Sequence, residues 1–186
     1  MENQTLALIS SRRSHRAYEK TPLTQEQLDA LLKAAVASPS AVNRQPWHFT
    51  VVRNQELLDE MNRAVWEQMM KRRPDQRSPR FADSNFHVFY HAPTVIVLSG
   101  MPGNHYTHMD CGIAVENIAL AAESMGLGSV ILGMPRDAFA GDRAEAFRKA
   151  LHFPEGWDYV VAIAVGVPTD TKDAHVVGEG KVSFVD

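Results

Sequence analysis

Val95-Ile96-Val97-Leu98 is an unbroken apolar run, closed by Ser99-Gly100. A strand points alternate side chains to opposite faces, so four successive apolar residues require cover on both sides. The run therefore predicts a central strand, and the remaining chain must supply the layers around it. Trp47 to Val52, rich in aromatic and β-branched residues, predicts a first strand, Ser129 to Leu132 a third, and Tyr159 to Val165 a fourth, ended by Pro168. Helices fill the intervals. A short one is predicted from Leu6 to Ser10, and one over 25–37 starts at a capping box, Thr24 with Gln27. Leu57, Leu58, Met61, Val65 and Met69 mark the apolar face of a helix over 54–70. Apolar positions nearly encircle the helix over 110–125, which predicts burial, and Gly126 follows it as a stop. A last helix covers 143–151. Alternation alone points to an α/β chain with a parallel sheet.

The 186 residues, 45% of them hydrophobic, fit a single domain over 1–186. A chain of this length buries roughly two-thirds of its unfolded surface, enough for a core without metal or disulfide staples. Its one cysteine, Cys111, excludes an internal disulfide and favours a reducing compartment, so the expected location is cytoplasmic. A net charge of −3 lacks the basic footprint of a nucleic-acid binder. No apolar run approaches the roughly 20 residues of a membrane span. The start, Met1-Glu2-Asn3-Gln4, lacks the basic and apolar regions of a secretory signal.

Several chemistries are excluded by spacing. Gly126-Leu127-Gly128 has Ile131 in place of the third glycine of a dinucleotide-binding fingerprint, and it precedes a strand instead of opening a helix. Ser129 lacks the flanking glycines of a nucleophile elbow. His105, His108 and Asp110 match no established zinc spacing, and His87 with His91 reads as a solvated pair, so no metal is expected. Cys111 reads as a small buried apolar residue.

Two features carry chemistry. Arg12-Arg13-Ser14-x-Arg16 places three guanidinium groups and a hydroxyl at a helix exit, a set adequate for a phosphomonoester, although a solvated basic turn has the same composition. Ser38-Pro39-Ser40-x-x-Asn43-x-Gln45-Pro46-Trp47 places amide side chains on a proline-stiffened loop before a strand, and such amides can match the alternating donors and acceptors of a heterocycle. Followed by Asp110-x-Gly112-x-Ala114 and by Gly126-Leu127-Gly128-Ser129, this order resembles the nitroreductase family of FMN-dependent NAD(P)H oxidoreductases, over essentially the whole chain.

The resemblance implies an α+β fold in which helices wrap a mixed, mostly antiparallel central sheet. It also implies a homodimer with FMN at the subunit interface. It assigns Arg12, Arg13, Ser14 and Arg16 to the FMN phosphate and ribityl chain. Pro39, Ser40 and Ala41 match the loop that the partner lays on the ring, with Asn43 and Gln45 as its amides. Ile131, Leu132 and Gly133 match the strand end beside the reactive edge of the flavin, and Lys181 is the counterpart of a C-terminal cation for the phosphate. The implied activity is ping-pong hydride transfer from NAD(P)H through FMN to a nitroaromatic, quinone or enal. No side chain need act as acid or base, so no catalytic residue is assigned. Reductive dehalogenation, flavin fragmentation and flavin binding without turnover are the alternatives. Lys71 to Phe86 break all periodicity, and the segment 71–90 holds five basic residues in Lys71 to Arg80. They are expected to be exposed and mobile, a candidate lid that favours anionic substrates or the extra phosphate of NADPH.

Overall fold

The computed structural model describes residues 3–174 and 176–185; Met1 and Glu2 of the polar start, and Asp186, lie outside them. In chain order the regular elements are α1 (Gln4–Ser11), α2 (Gln25–Val36), β1 (Trp47–Val52), α3 (Gln55–Lys71), β2 (Thr94–Gly100), α4 (Thr107–Ser124), β3 (Gly128–Leu132), α5 (Ala144–Ala150) and β4 (Asp158–Gly166). Short 3-10 turns lie at Ala41–Asn43, Pro74–Gln76, Pro79–Ala82 and Met134–Ala140. Local chemistry explains the boundaries. Thr24 accepts from the Gln27 amide at 3.2 Å while the Gln27 side chain accepts from Thr24 N–H at 2.9 Å, the reciprocal box expected at the start of α2. Gly126 sits at φ +69°, where an L side chain is disfavoured, and turns the chain out of α4.

The sheet order is β1-β2-β4-β3, with every ladder antiparallel. This corrects the parallel arrangement suggested by alternation; the resemblance implied a mixed, mostly antiparallel sheet, and the four strands found are all antiparallel. The physical reason is that apolar runs report burial on both faces and say nothing of direction. Direction depends on where each connection emerges.

All seven residues of β2 are buried. Val95 and Val97 face a core with α3 and α5, containing Leu58, Met61, Val65, Phe89 and Phe147. Ile96 and Leu98 face a second core with α2 and α4, containing Leu28, Leu31, Ile118 and Ile163. Each such side chain contributes about 2 kcal/mol on burial, so the strand is held from both faces.

Residues 71–90 divide in two. Residues 71–80 are mostly exposed, as expected, whereas Phe81, His87, Val88 and Phe89 are buried. Phe81, Phe86 and Tyr90 join Trp66 of α3 in a chain of edge-to-face contacts, with centroids 4.8 to 5.7 Å apart. Arg80 donates to the Tyr90 hydroxyl. The exposed part is also tied down: Arg77 donates to the carbonyls of Met70 at 2.8 Å and Arg72 at 3.0 Å, capping the C-terminus of α3.

Candidate functional site

The Arg12–Arg16 segment leaves α1 and lies along β3. Ser14 bridges Ser129 in parallel, and His15 N–H donates to the Ser129 carbonyl at 2.9 Å. The approach is close enough that a Cβ on Gly128 would stand 2.9 Å from His15 Cβ and 2.7 Å from Pro168 Cβ. Thr169 N–H then donates to the Ala17 carbonyl, so the segment is stitched on its other side to the chain leaving β4. Asp170 completes the anchor. One oxygen accepts from Arg16 N–H at 3.0 Å, the other meets His15 Nδ1 at 2.8 Å, and Lys172 Nζ lies 3.4 Å away. These contacts outweigh the desolvation that opposes them and hold the Asp170 carboxyl below its usual range.

Within this frame the arginines separate. Arg12 Nε reaches Glu116 of α4 at 3.3 Å, away from its neighbours. Arg13 binds the Ser10 and Arg12 carbonyls through Nη1, and Arg16 binds the Ser14 carbonyl through Nη1. The Nε atoms of Arg13 and Arg16 are buried without a hydrogen-bond partner. A guanidinium N–H left unpaired inside a protein costs free energy, so each of these two is a donor able to take an oxyanion.

Gly133 follows the last residue of β3, four residues beyond Ser129 and about 13 Å away at the rise of an extended strand. Gly133 has φ −95° and ψ −30°, values open to any L residue. A Cβ placed there would meet nothing within 4 Å. The backbone does not require glycine here, and the position opens onto unfilled space. Ile131 beside it is 40% exposed although the rest of β3 is buried. The Leu132 carbonyl is fixed by the Tyr159 hydroxyl at 2.6 Å, and burial pushes that phenol well above its ordinary pKa.

The Ser38–Pro46 loop stands elsewhere, before β1 at the opposite edge of the sheet from β3. Ser40 organises it: its carbonyl accepts from Asn43 N–H and its hydroxyl from Gln45 N–H, both at 2.9 Å. Gln45 Nε2 donates to Asn43 Oδ1 at 3.0 Å. The buried Asp110 of α4 accepts from Ala41 N–H at 3.2 Å, and Asn117 donates to Ser38 Oγ at 2.8 Å. Val42, Asn43 and Gln45 all have positive φ, and Val42 is 84% exposed. A β-branched residue in the left-handed region is strained, and such strain gathers at functional loops. Pro39 is exposed. Lys181 lies in the exposed C-terminal tail, and no hydrogen bond or ion pair among the described residues joins it to Arg12–Arg16.

Asp59, His87 and His91 bring potential ligand atoms within 4.8 Å of one another. His87 corrects the expectation of a solvated pair, since it is buried and its Nε2 lies 3.1 Å from Asp59. Phe89 N–H donates to His87 Nδ1 at 3.2 Å, so the neutral ring carries its proton on Nε2, aimed at Asp59. That proton occupies the lone-pair position a metal would need. Burial, followed by the charge of His91, lowers the His87 pKa and keeps the ring neutral. Cys111 is buried, and desolvation pushes its thiol up to about 12, which makes it inert. No helix among the described residues is long and apolar enough to cross a membrane.

The family model described as "Nitroreductase family" matches residues 9–167. The chain belongs to the nitroreductase family. A curated relative from Archaeoglobus fulgidus, provisionally named an NADH dehydrogenase/NAD(P)H nitroreductase, is 36% identical over 173 residues, which is 92% of this chain and 90% of the relative. The crystal structure of a nitroreductase with bound FMN from Desulfitobacterium hafniense superposes with a TM-score of 0.94 at 36% identity, covering 100% of both chains. An FMN-dependent nitroreductase from Clostridium difficile gives 0.87 at 32% identity, again over 100% of both. These nitroreductases share the four-stranded antiparallel architecture as a whole, so the unpaired arginines and open glycine of this chain lie in a shared frame.

Reading by residue type missed Asp170, which lies 155 positions from His15 and carries no local motif. It also missed Asn117. Asp110 was legible only as part of the family-like order.

Proposed function

We propose that this chain is an NAD(P)H oxidoreductase that uses FMN and works as a homodimer with the flavin between its subunits. One observation carries the reading: the two buried, partnerless Nε–H donors of Arg13 and Arg16 stand at one end of β3, and the open face of Gly133 stands at the other. Oxyanion donors with an uncrowded backbone at this separation suit a ribityl phosphate and its tricyclic ring. Bound FMN would supply the hydride chemistry, accepting from NAD(P)H and donating to a flat electrophile such as a nitroaromatic, quinone or enal.

The chain's own part is binding and orientation. Arg13 and Arg16 hold the phosphate, with Ser14 near the ribityl end, while Asp170 fixes the backbone that presents them. Lys172, beside Asp170, is the nearer source of a C-terminal cation, and Lys181 serves only if the tail returns to the site in the assembly. Gly133 lets the ring edge approach β3. Pro39, Ser40 and Ala41, with the amides of Asn43 and Gln45, cover the ring of the other subunit. This division is supported by the loop's place at the far sheet edge and by its exposed, strained Val42. The exposed apolar residues Leu6 and Ile9 of α1, together with Val176, Val177, Val182 and Phe184 of the tail, support a second copy as the covering surface.

The test is the visible spectrum of the purified protein, mass identification of the ligand released on denaturation, and sedimentation. A yellow dimer that releases FMN and bleaches when NADH or NADPH is added without oxygen is expected. A colourless monomer that takes up no FMN in excess refutes the proposal.

A further inference from the structure

Beside Gly133, between the 72–78 segment and the 3-10 turn after β3, lies a cavity of about 680 Å³. Met69 and Met134 supply apolar, polarisable surface, and Arg72, Arg77 and Arg136 supply charge. Two carboxylates also line it, and both are already engaged. Both oxygens of Asp137 accept from Arg72 Nη2, at 2.7 and 2.8 Å, and Asp75 pairs with Arg73 at 3.2 Å. Two cations are left over. Arg77 is held by the carbonyls it caps through Nε and Nη2, and its Nη1 makes no hydrogen bond among the described residues. The side chain of Arg136 makes no hydrogen bond or ion pair among the described residues, and its backbone is fixed one turn from Gly133 by the bond from Arg136 N–H to the Gly133 carbonyl.

We propose that this cavity is a subsite for the carboxylate of the electron acceptor, with Arg136 and Arg77 as its receptors, so that the enzyme favours flat aromatic electrophiles bearing an acid group. The inference rests on the FMN reading for the placement of the reacting ring against Gly133. Each part then has a function. The methionines pack on an aromatic ring, which soft unbranched side chains accommodate in varied shapes. A planar guanidinium pairs with a carboxylate through two parallel hydrogen bonds, fixing the acceptor's orientation as well as its charge. The pairing of Asp137 with Arg72 and of Asp75 with Arg73 offsets part of the repulsion these carboxylates would otherwise exert. The oxyanion could also be the 2′-phosphate of NADPH, but a cavity opening directly beside the reactive edge fits a group only one ring away from the site of reduction.

The experiment compares 4-nitrobenzoate with 4-nitrobenzamide as acceptors, and benzoate with benzamide as unreactive ligands followed by calorimetry. The holoprotein, Arg136→Gln and Arg136→Lys are each tested. A charge-assisted bond at a partly exposed site changes affinity by about tenfold, so the benzoate-to-benzamide binding ratio and the corresponding kcat/KM ratio should each fall about tenfold in R136Q. R136K should recover part of the loss, and 0.5 M salt should shrink the wild-type preference. Equal ratios in wild type and R136Q overturn the subsite. So does a change in NADPH-to-NADH preference with no change in the benzoate ratio, which would assign the cation to the nucleotide. Failure of the underlying reading looks different: the protein then binds no FMN and reduces neither acceptor.

Discussion

Replacing Gly133 with alanine should strengthen the flavin-free protein and weaken its hold on FMN. The residue has αR-like dihedrals, φ −95° and ψ −30°, and a Cβ there would touch nothing within 4 Å. At a site where alanine fits without strain, the substitution removes unfolded-state entropy and adds about 0.4–1 kcal/mol of stability. For a chain of this size that corresponds to a rise in Tm of about 1–4 °C. If the edge of the flavin fills the space, the same methyl group overpacks the complex by about 1–3 kcal/mol, raising the FMN dissociation constant roughly 5- to 150-fold. Differential scanning fluorimetry of apoprotein gives the first quantity, and quenching of flavin fluorescence on titration gives the second. Opposite signs are the signature of glycine kept for a ligand. A destabilised apoprotein would mean that the space is not open. Unchanged FMN affinity together with unchanged acceptor KM would mean that nothing binds beside β3, and the placement of the ring would be wrong.

Arg16→Gln should weaken FMN binding by about 10- to 100-fold, because it removes a charged donor from a buried anion site, and the titration should show a reduced salt dependence. Asp170 holds a depressed pKa, so its stabilisation is present above the unfolded carboxylate value near 3.9 and is lost as pH falls through the folded value. The gap in Tm between wild type and Asp170→Asn should therefore be widest near neutrality and should close in acid, which a series of melts down to pH 3 will reveal; a gap constant with pH would exclude the ionised tether. Cys111, with its thiol pushed up to about 12, should resist iodoacetamide at pH 8 in the native protein and react once unfolded, as followed by mass spectrometry. Removal of residues 173–186 should weaken the proposed dimer, and an unchanged sedimentation profile would show that the apolar tail is not part of the interface.

What could be read from the chain was whatever repeats with a short period. The Val95–Leu98 run located a strand covered on both faces, and Thr24 with Gln27 located the start of α2 to the residue. Strand direction has no such signature. Nor does the Trp66, Phe81, Phe86 and Tyr90 cluster, whose members are spaced 15, 5 and 4 residues apart and so fit neither a helix nor a strand face; without it, residues 81–90 looked like more of the exposed loop. His87 was legible as a histidine but not as a buried one, because its partners, Asp59 and the Phe89 amide, meet it only in three dimensions. The arginine segment had a composition that fits a phosphate site and a solvated basic turn alike, and only the resemblance favoured the first. Only the structure separates Arg12, taken by Glu116, from Arg13 and Arg16, whose Nε atoms have no partner.

The separation of the two polar segments bears on why the proposed enzyme would need two copies. The start of β1, the end of β2 and the start of β4 lie level at one end of the sheet, as the pairings of Trp47 with Gly100 and Gly100 with Asp158 require, and β3 runs toward that end but stops opposite Ala162. The Ser40 loop and Gly133 therefore occupy opposite edges of the sheet, three strand spacings or about 14 Å apart across it and further offset along the strands. The loop does not drift toward its own Gly133, because Asp110 and Asn117 of α4 hold Ala41 and Ser38 in place. What they hold is strained, with left-handed Val42, Asn43 and Gln45 and an apolar side chain turned to solvent. Strain of about 1–3 kcal/mol per residue persists only where the surroundings over-determine it. In a lone chain those surroundings are incomplete on the outer side of the loop. A second copy, related by a two-fold axis, would complete them at both loops simultaneously, since an isologous contact satisfies each subunit with the same surface of the other.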